Sequence, residues 1–171
     1  SSDLMNQIMI AQAPVYTSPN PMTFICTKKP NGKTNMATLA FWMCASTNPG
    51  KVVFSLNKGA YTLELLAKNK EVVIAVPGTS LAGALIACGT SSGRDTDKAE
   101  KFGIKMQKLE GTEIEVPEDT RLAIVAEVCE IADAGDHVLH ICNVKNVFAD
   151  KSVEAVFGWN GYAELAGAQK K

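Results

Sequence analysis

A chain of 171 residues that is 46% hydrophobic and 20% charged is expected to fold around one core, as a single domain over 1–171. Seventeen basic against eighteen acidic side chains leave a net charge of −1, which removes the basic face that nucleic-acid binding requires. Disordered, collagenous and coiled-coil chains are excluded by the same composition, and the longest apolar stretches, 36–46 and 81–89, fall far short of the ~20 residues of a membrane span.

At the N-terminus Ala11-Gln12-Ala13 has the look of a cleavage site, yet Ser1-Ser2-Asp3 supplies no basic start and Asn6 and Gln7 interrupt the apolar run. No secretory signal is expected. Residues 22–27 (MTFICT) read as a strand, 29–33 as a tight turn, and 36–44 (MATLAFWMC) as the returning strand. A second turn at 48–50 leads to a strand over 51–56. The period then changes: Leu63, Leu66 and Ala67 repeat at helical spacing, with Thr62 placed to cap the helix. Residues 71–76 return to strand, 80–88 (SLAGALIAC) read as a buried helix, 89–95 as a polar loop and 96–102 as a short helix bearing Lys98. Two long β-rich runs, 122–131 and 137–148, flank a turn and suit a hairpin, with one more strand over 153–157.

Strands predominate, with short helices between them, so the fold class is mainly β (α+β): a β-barrel with decorating helices. A doubly wound sheet would need regular alternation with long helices, and neither a G-x-G-x-x-G after a strand nor a P-loop is present. The five cysteines (Cys26, Cys44, Cys88, Cys129, Cys142) are odd in number, scattered and set in apolar contexts, which reads as reduced core thiols in a cytoplasmic protein.

Two loops carry the chemistry. In Gly89-Thr90-Ser91-Ser92-Gly93-Arg94-Asp95, glycines free the backbone N–H groups to converge, hydroxyls add donors, and Arg94 with Lys98 supplies positive charge. That suits a phosphate or another anion; an ordinary solvated loop, with Arg94 paired to Asp95 or Asp97, fits the composition equally. At the strand–helix corner 54–62, Asn57, Lys58, Tyr61 and Thr62 either converge on an anion or simply start a helix. Met36, Thr38, Ala40 and Trp42 alternate onto one strand face, where an aromatic stacks on a ligand ring or on the core. His137 and His140, three apart in a β-like run, point to opposite faces, and His140 with Cys142 makes too few ligands for zinc, so no metal is expected. No nucleophile–base motif stands out, so any redox or transfer chemistry belongs to a cofactor.

Four segments in this order, 32–38, 54–62, 92–98 and the Gly135-Asp136-His137 turn, resemble the flavin reductase-like FMN-binding split-barrel family, and most of all its flavoredoxin branch. The likeness runs from about 14 to 150. It implies a homodimer of split β-barrels with one FMN per subunit near the interface. Asn35, Met36, Ala37, Thr38, Leu39 and Ala40 would lie along the isoalloxazine. Ser55, Leu56, Asn57, Lys58, Tyr61 and Thr62 would hold the ring edge and phosphate, and Ser92, Gly93, Arg94 and Lys98 would complete the phosphate cradle. His137 inherits a place near the nicotinamide of a transient NAD(P)H donor. The sequence departs from the family where His140 interrupts the apolar strand and in the tail after Asp150. The implied function is a flavoredoxin-like electron carrier, passing electrons to a redox protein, or an NAD(P)H:flavin oxidoreductase that reduces free flavin. The alternative is a non-catalytic dimeric module for another anionic ligand.

Overall fold

The computed structural model describes residues 4–168. In chain order its elements are helix α1 (Ala13–Tyr16); strands β1 (Asn20–Pro21), β2 (Thr23–Lys28), β3 (Thr34–Leu39), β4 (Trp42–Thr47) and β5 (Gly50–Asn57); helix α2 (Tyr61–Lys68); strand β6 (Glu71–Pro77); helices α3 (Ala82–Gly89) and α4 (Lys98–Lys101); and strands β7 (Met106–Gln107), β8 (Val116–Pro117), β9 (Thr120–Ala134), β10 (His137–Ala149), β11 (Val156–Trp159) and β12 (Glu164–Gly167).

Seven strands form one sheet in the order β3-β2-β6-β9-β10-β5-β4, each pair antiparallel. Only Ala40 and Phe41 separate β3 from β4, yet these strands are the two edges. A flat seven-stranded sheet would hold its edges about 29 Å apart, whereas three Cα steps reach at most about 11 Å. The sheet therefore curls until its edges nearly meet. It is a mostly β split barrel, in which the chain crosses the split at Ala40-Phe41.

Burial follows from that closure. Ile25, Val52, Phe54, Leu56, Val72, Ile74, Ile124, Ala126 and Cys142 come from strands all round the barrel and meet in its lumen, with Leu66 of α2 among them. The opposite faces of β2, β3, β6 and β9 carry Phe24, Cys26, Met36, Val73, Ala75, Ala123 and Val125, covered by Leu85 and Cys88 of α3 and by Ile104, Ile114 and Val116. β2 and β6 are thus buried on both sides, which is why neither shows the alternation of a half-exposed strand: β6 carries the apolar run 72–76, and in β2 even Thr23 and Thr27 are buried. β1, β11 and β12 form a small separate sheet, and β7 pairs with β8.

Several expectations need correction. Residues 36–44 are not one strand, because the chain leaves one edge and joins the other at Ala40-Phe41. Trp42 consequently packs with Ala37 and Leu39 against the lumen, while Ala40 packs with Met36 outside. Its indole Nε1 donates to Pro21 O at 3.1 Å. Helix 80–88 is covered on one side only, with Ile86 58% exposed. The last-strand expectation at 153–157 begins too early; β11 starts at Val156 and pairs with both β1 and β12. Cys26, Cys88 and Cys142 are buried, but Cys44 and Cys129 are exposed. Cys44 lies on the edge strand β4, and Cys129 is the extra residue of a bulge opposite Ile141 and Cys142. Burial, with Cys129 nearby, pushes the Cys142 thiol up to about 12.

Candidate functional site

Three segments that the barrel places side by side enclose a cleft of about 350 Å³: the edge of β3, the corner leading into α2, and the loop after α3. The corner is shaped by Asn57, whose Oδ1 accepts from the Gly59 N–H at 2.9 Å while its carbonyl accepts from the Ala60 N–H at 2.9 Å. This Asx turn releases the chain into α2. Ala60 is the N-cap, not Thr62, because the turn ends two residues earlier than the sequence suggested. The N–H groups of Tyr61 and Thr62, in the open first turn of the helix, have no hydrogen-bond partner among the described residues. Lys58 turns away: its N–H donates to Asp136 O at 3.0 Å and its Nζ sits 2.6 Å from Asp133 Oδ1, which ties the corner to the β9–β10 turn.

Asn35, 2% exposed, forms the cleft's back wall. Its Nδ2 donates to Thr62 Oγ1 at 3.1 Å and Thr27 Oγ1 at 3.4 Å. Its Oδ1 is buried without a partner among the described residues. Facing that oxygen is Gly93, where a Cβ would lie 1.8 Å from it; glycine is required there by close approach. Among the described residues the backbone N–H groups of Ser91, Ser92 and Gly93 are likewise unpaired, and the Ser92 hydroxyl accepts from the Arg94 N–H at 3.2 Å.

Lys98 closes the floor. It is 5% exposed and its Nζ donates to Met36 O at 2.7 Å and Cys88 O at 2.8 Å. Burial, reinforced by the neighbouring Lys29 ammonium, pushes Lys98 below the usual lysine range, although Cys88 acts in the opposite sense. Lys29 is buried too, donating to Thr96 O at 3.2 Å. Arg94 pairs with neither Asp95 nor Asp97. Its guanidinium bonds Glu64 and lies 4.8 Å from the Tyr61 ring centre, clasping the loop to α2. Asp97 instead caps α4, accepting from the Glu100 N–H at 3.3 Å, and pairs with Lys33 at 2.9 Å, which lowers its pKa.

Of the residues singled out in the sequence, Asn35, Ala37, Thr38, Tyr61, Thr62, Ser92, Gly93 and Lys98 line the cleft. Met36 and Leu56 are core side chains, and Leu39 and Ala40 pack on the two cores further along. Ser55 lies on β5 outside the cleft lining, Asn57 and Lys58 hold the corner, and Arg94 clasps from outside. The lining adds Gly59, Ala60 and Cys88, together with Gly89, Thr90 and Ser91 of the polar loop. Gly59 and Ala60 carry no side-chain signal; only the Asn57-x-Gly59 turn points to them.

His137 stands apart, opening β10 opposite Asn57. Its Nδ1 is 2.6 Å from Asp136 Oδ1, which lowers the Asp136 pKa, and its ring lies 5.4 Å from Phe41. Phe41 in turn meets Tyr162 at 6.4 Å. The tail thus reaches His137 through a residue in the β11–β12 turn that no local pattern marks. Among the described residues no three His, Cys, Asp or Glu side chains gather as a metal site.

The cleft combines unpaired N–H groups, hydroxyls, a buried ammonium and one orphaned acceptor, and residues 15–166 match the model of the flavin reductase like domain. The chain belongs to that family. A flavoredoxin of Desulfovibrio vulgaris (Miyazaki F) superposes with a TM-score of 0.83 at 18% identity, covering 98% of this chain and 95% of that one. An NADH:FAD oxidoreductase of Streptomyces globisporus C-1027, SgcE6, gives 0.83 at 12% identity, covering 99% of each. At these identities the likeness is one of fold. Among curated proteins, the uncharacterized YddH of Escherichia coli K12 is 33% identical over 70 residues, 41% of this chain and 37% of YddH. The chain spans 37% and 65% of the lengths of the two curated relatives it matches.

As a flavin reductase-like domain, the chain offers donors suited to a flavin nucleotide's phosphate, while the orphaned Asn35 Oδ1 calls for a donor such as a polyol hydroxyl. A cleft of about 350 Å³ that opens to solvent admits such a group. The residues present fit a flavin mononucleotide.

Proposed function

We propose that this chain binds FMN in the cleft and acts as a flavoredoxin-like electron carrier or an NAD(P)H-dependent flavin reductase. The observation that carries the reading is the buried, partnerless Asn35 Oδ1 facing a loop of unpaired N–H groups and hydroxyls. An unpaired buried acceptor costs about 1–3 kcal/mol, a cost that a ligand hydroxyl removes. Thr90, Ser91, Ser92 and Gly93, with the α2 N-terminus, bind the phosphate; Asn35 accepts from the polyol; Thr38 and Ala37 present the β3 edge to the ring. FMN, when bound, supplies reversible hydride and electron acceptance. His137, with Phe41 and Tyr162, forms an aromatic shelf where a nicotinamide is placed and water excluded.

A homodimer belongs to the same reading. Met43, Val53 and Ile141 share one face of β4, β5 and β10 by register, with Leu139 two residues along; neither core cluster covers them, and Met43 is 58% exposed. Free cysteines among the described residues favour a reducing, cytoplasmic setting, and no helix among them is long and apolar enough to cross a membrane.

The test is an anaerobic visible spectrum after incubation with FMN, followed by NADH and then NADPH. A flavin band bleached by a nicotinamide nucleotide establishes the reductase and names the donor. A band bleached only by dithionite establishes the carrier. No retained flavin overturns the reading in favour of a module for another anion.

A further inference from the structure

The Lys98 ammonium reaches across the cleft floor to two backbone carbonyls, one on an edge strand and one at a helix end. Met36 lies on β3, an edge of the barrel sheet, paired on one side only with Cys26 of β2. Edge strands leave alternate carbonyls without a ladder partner. Cys88 lies in the last turn of α3, where helix carbonyls have no intrahelical N–H to accept from and where a cation opposes the helix dipole favourably. Lys98 donates to Met36 O at 2.7 Å and to Cys88 O at 2.8 Å, both bonds buried. Thr38 makes a second link between the same two elements, its hydroxyl donating to Leu85 O. The elements are in close contact there, since a Cβ on Gly89 would lie 3.3 Å from Thr38 Cβ.

We infer that Lys98 is a positioning residue: it pins the β3 edge to the end of α3, and it acts on a flavin through the wall it fixes rather than as a charge on the phosphate. Two of its three N–H donors are spent on this pin. The inference rests on the flavin reading only for its effect on binding. The pin itself is a property of the folded chain.

The experiment compares the parent with Lys98→Met, which keeps the apolar stem and removes the donors, and with Lys98→Arg, whose forked donors span two carbonyls. FMN and riboflavin, which lacks the phosphate, are titrated into each by flavin fluorescence. Amide hydrogen exchange is measured on the flavin-free proteins. Lys98→Met is expected to weaken FMN and riboflavin by a similar factor, about tenfold or more for the loss of two buried charge-assisted bonds. Exchange speeds up across β3 and the end of α3, while the β9–β10 ladder stays protected, and Lys98→Arg restores most of both.

A loss for FMN alone, with riboflavin unchanged, overturns the inference in favour of a phosphate contact. Unchanged exchange at β3 overturns it whether or not flavin binds, and so does a Lys98→Arg protein as impaired as Lys98→Met. Should Lys98→Met fail to fold, Lys98→Gln, with N–H donors and no charge, carries the comparison: equal effects on the two flavins support the pin and a loss for FMN alone overturns it. A parent that binds neither flavin overturns the flavin reading, and the exchange data then decide the pin on their own.

Discussion

The amide of Asn35 is anchored at one end and unanswered at the other. Thr62 and Thr27 hold its Nδ2, and Gly93 presses against its partnerless Oδ1. Gly93→Ala would set a methyl 1.8 Å from that oxygen, and Asn35, buried and held by two threonines, has no room to yield. The loop must move instead. Flavin affinity is expected to fall about tenfold or more, read by fluorescence titration, with little change in melting temperature, because a surface loop contributes little to the global fold. Thr62→Val acts the other way: it leaves Asn35 Nδ2 with only the longer bond to Thr27, and urea unfolding should show a loss of about 1–3 kcal/mol. An unchanged urea midpoint would remove Thr62 as the anchor. At this scale the sequence shows residue types and hides partners. Gly93 is visible as a glycine in a hydroxyl-rich loop, but no spacing rule joins Arg94 to Glu64, thirty positions earlier on another element.

Among the elements, β10 carries the clearest consequence of burial. His140 is 2% exposed, stacks on Phe54 with centroids 5.0 Å apart and planes 7° apart, and has its Nδ1 3.0 Å from Val138 O. Burial lowers its pKa, with Lys70 adding to the effect and the Val138 carbonyl opposing it. The unfolded chain takes up this proton near pH ~6.5 while the folded chain resists it. Its contribution to stability is therefore complete above that pH and is lost as pH falls toward the lower, folded-state pKa. Urea midpoints at pH 7.5 and 5.5 should drop in the parent and change less in His140→Phe; parallel drops would exclude His140 as the cause. The strands that build this barrel are legible from apolar runs and turn residues, and the β9–β10 hairpin was expected with its turn in place. The break after Leu39 was not, because 36–44 is uniformly apolar or small and nothing local records that the chain changes edges there.

For the whole molecule, the face of β4, β5 and β10 is packing left half done: Val53, Leu139 and Ile141 are half-buried and Met43 is exposed. If Met43, Val53, Leu139 and Ile141 meet a second copy, light scattering should report a mass near twice the 18.2 kDa chain. Met43→Asp should shift it toward the monomer without unfolding the barrel, since Met43 is already 58% exposed in the single chain. A monomeric parent would return that face to solvent. The one-dimensional pattern shows the cleft's separate loops but not their meeting, and it does not show the face at all. Each is assembled from segments whose meeting depends on barrel closure, and closure depends on strand order, which periodicity does not encode.

The two-residue crossing at Ala40-Phe41 has a mechanical meaning. It is a tether of at most about 11 Å between the strand that bears Asn35 and Thr38 and the strand that bears Met43. Were an occupied cleft to strain one rim of the barrel, this tether would be the shortest covalent route for that strain to the other rim, the one that bears Met43. Thermodynamic linkage makes any such transmission reciprocal: whatever factor flavin adds to self-association, self-association adds to the hold on flavin. The split in the barrel is then less a gap than a seam, and the seam is where loading and assembly would be traded against each other.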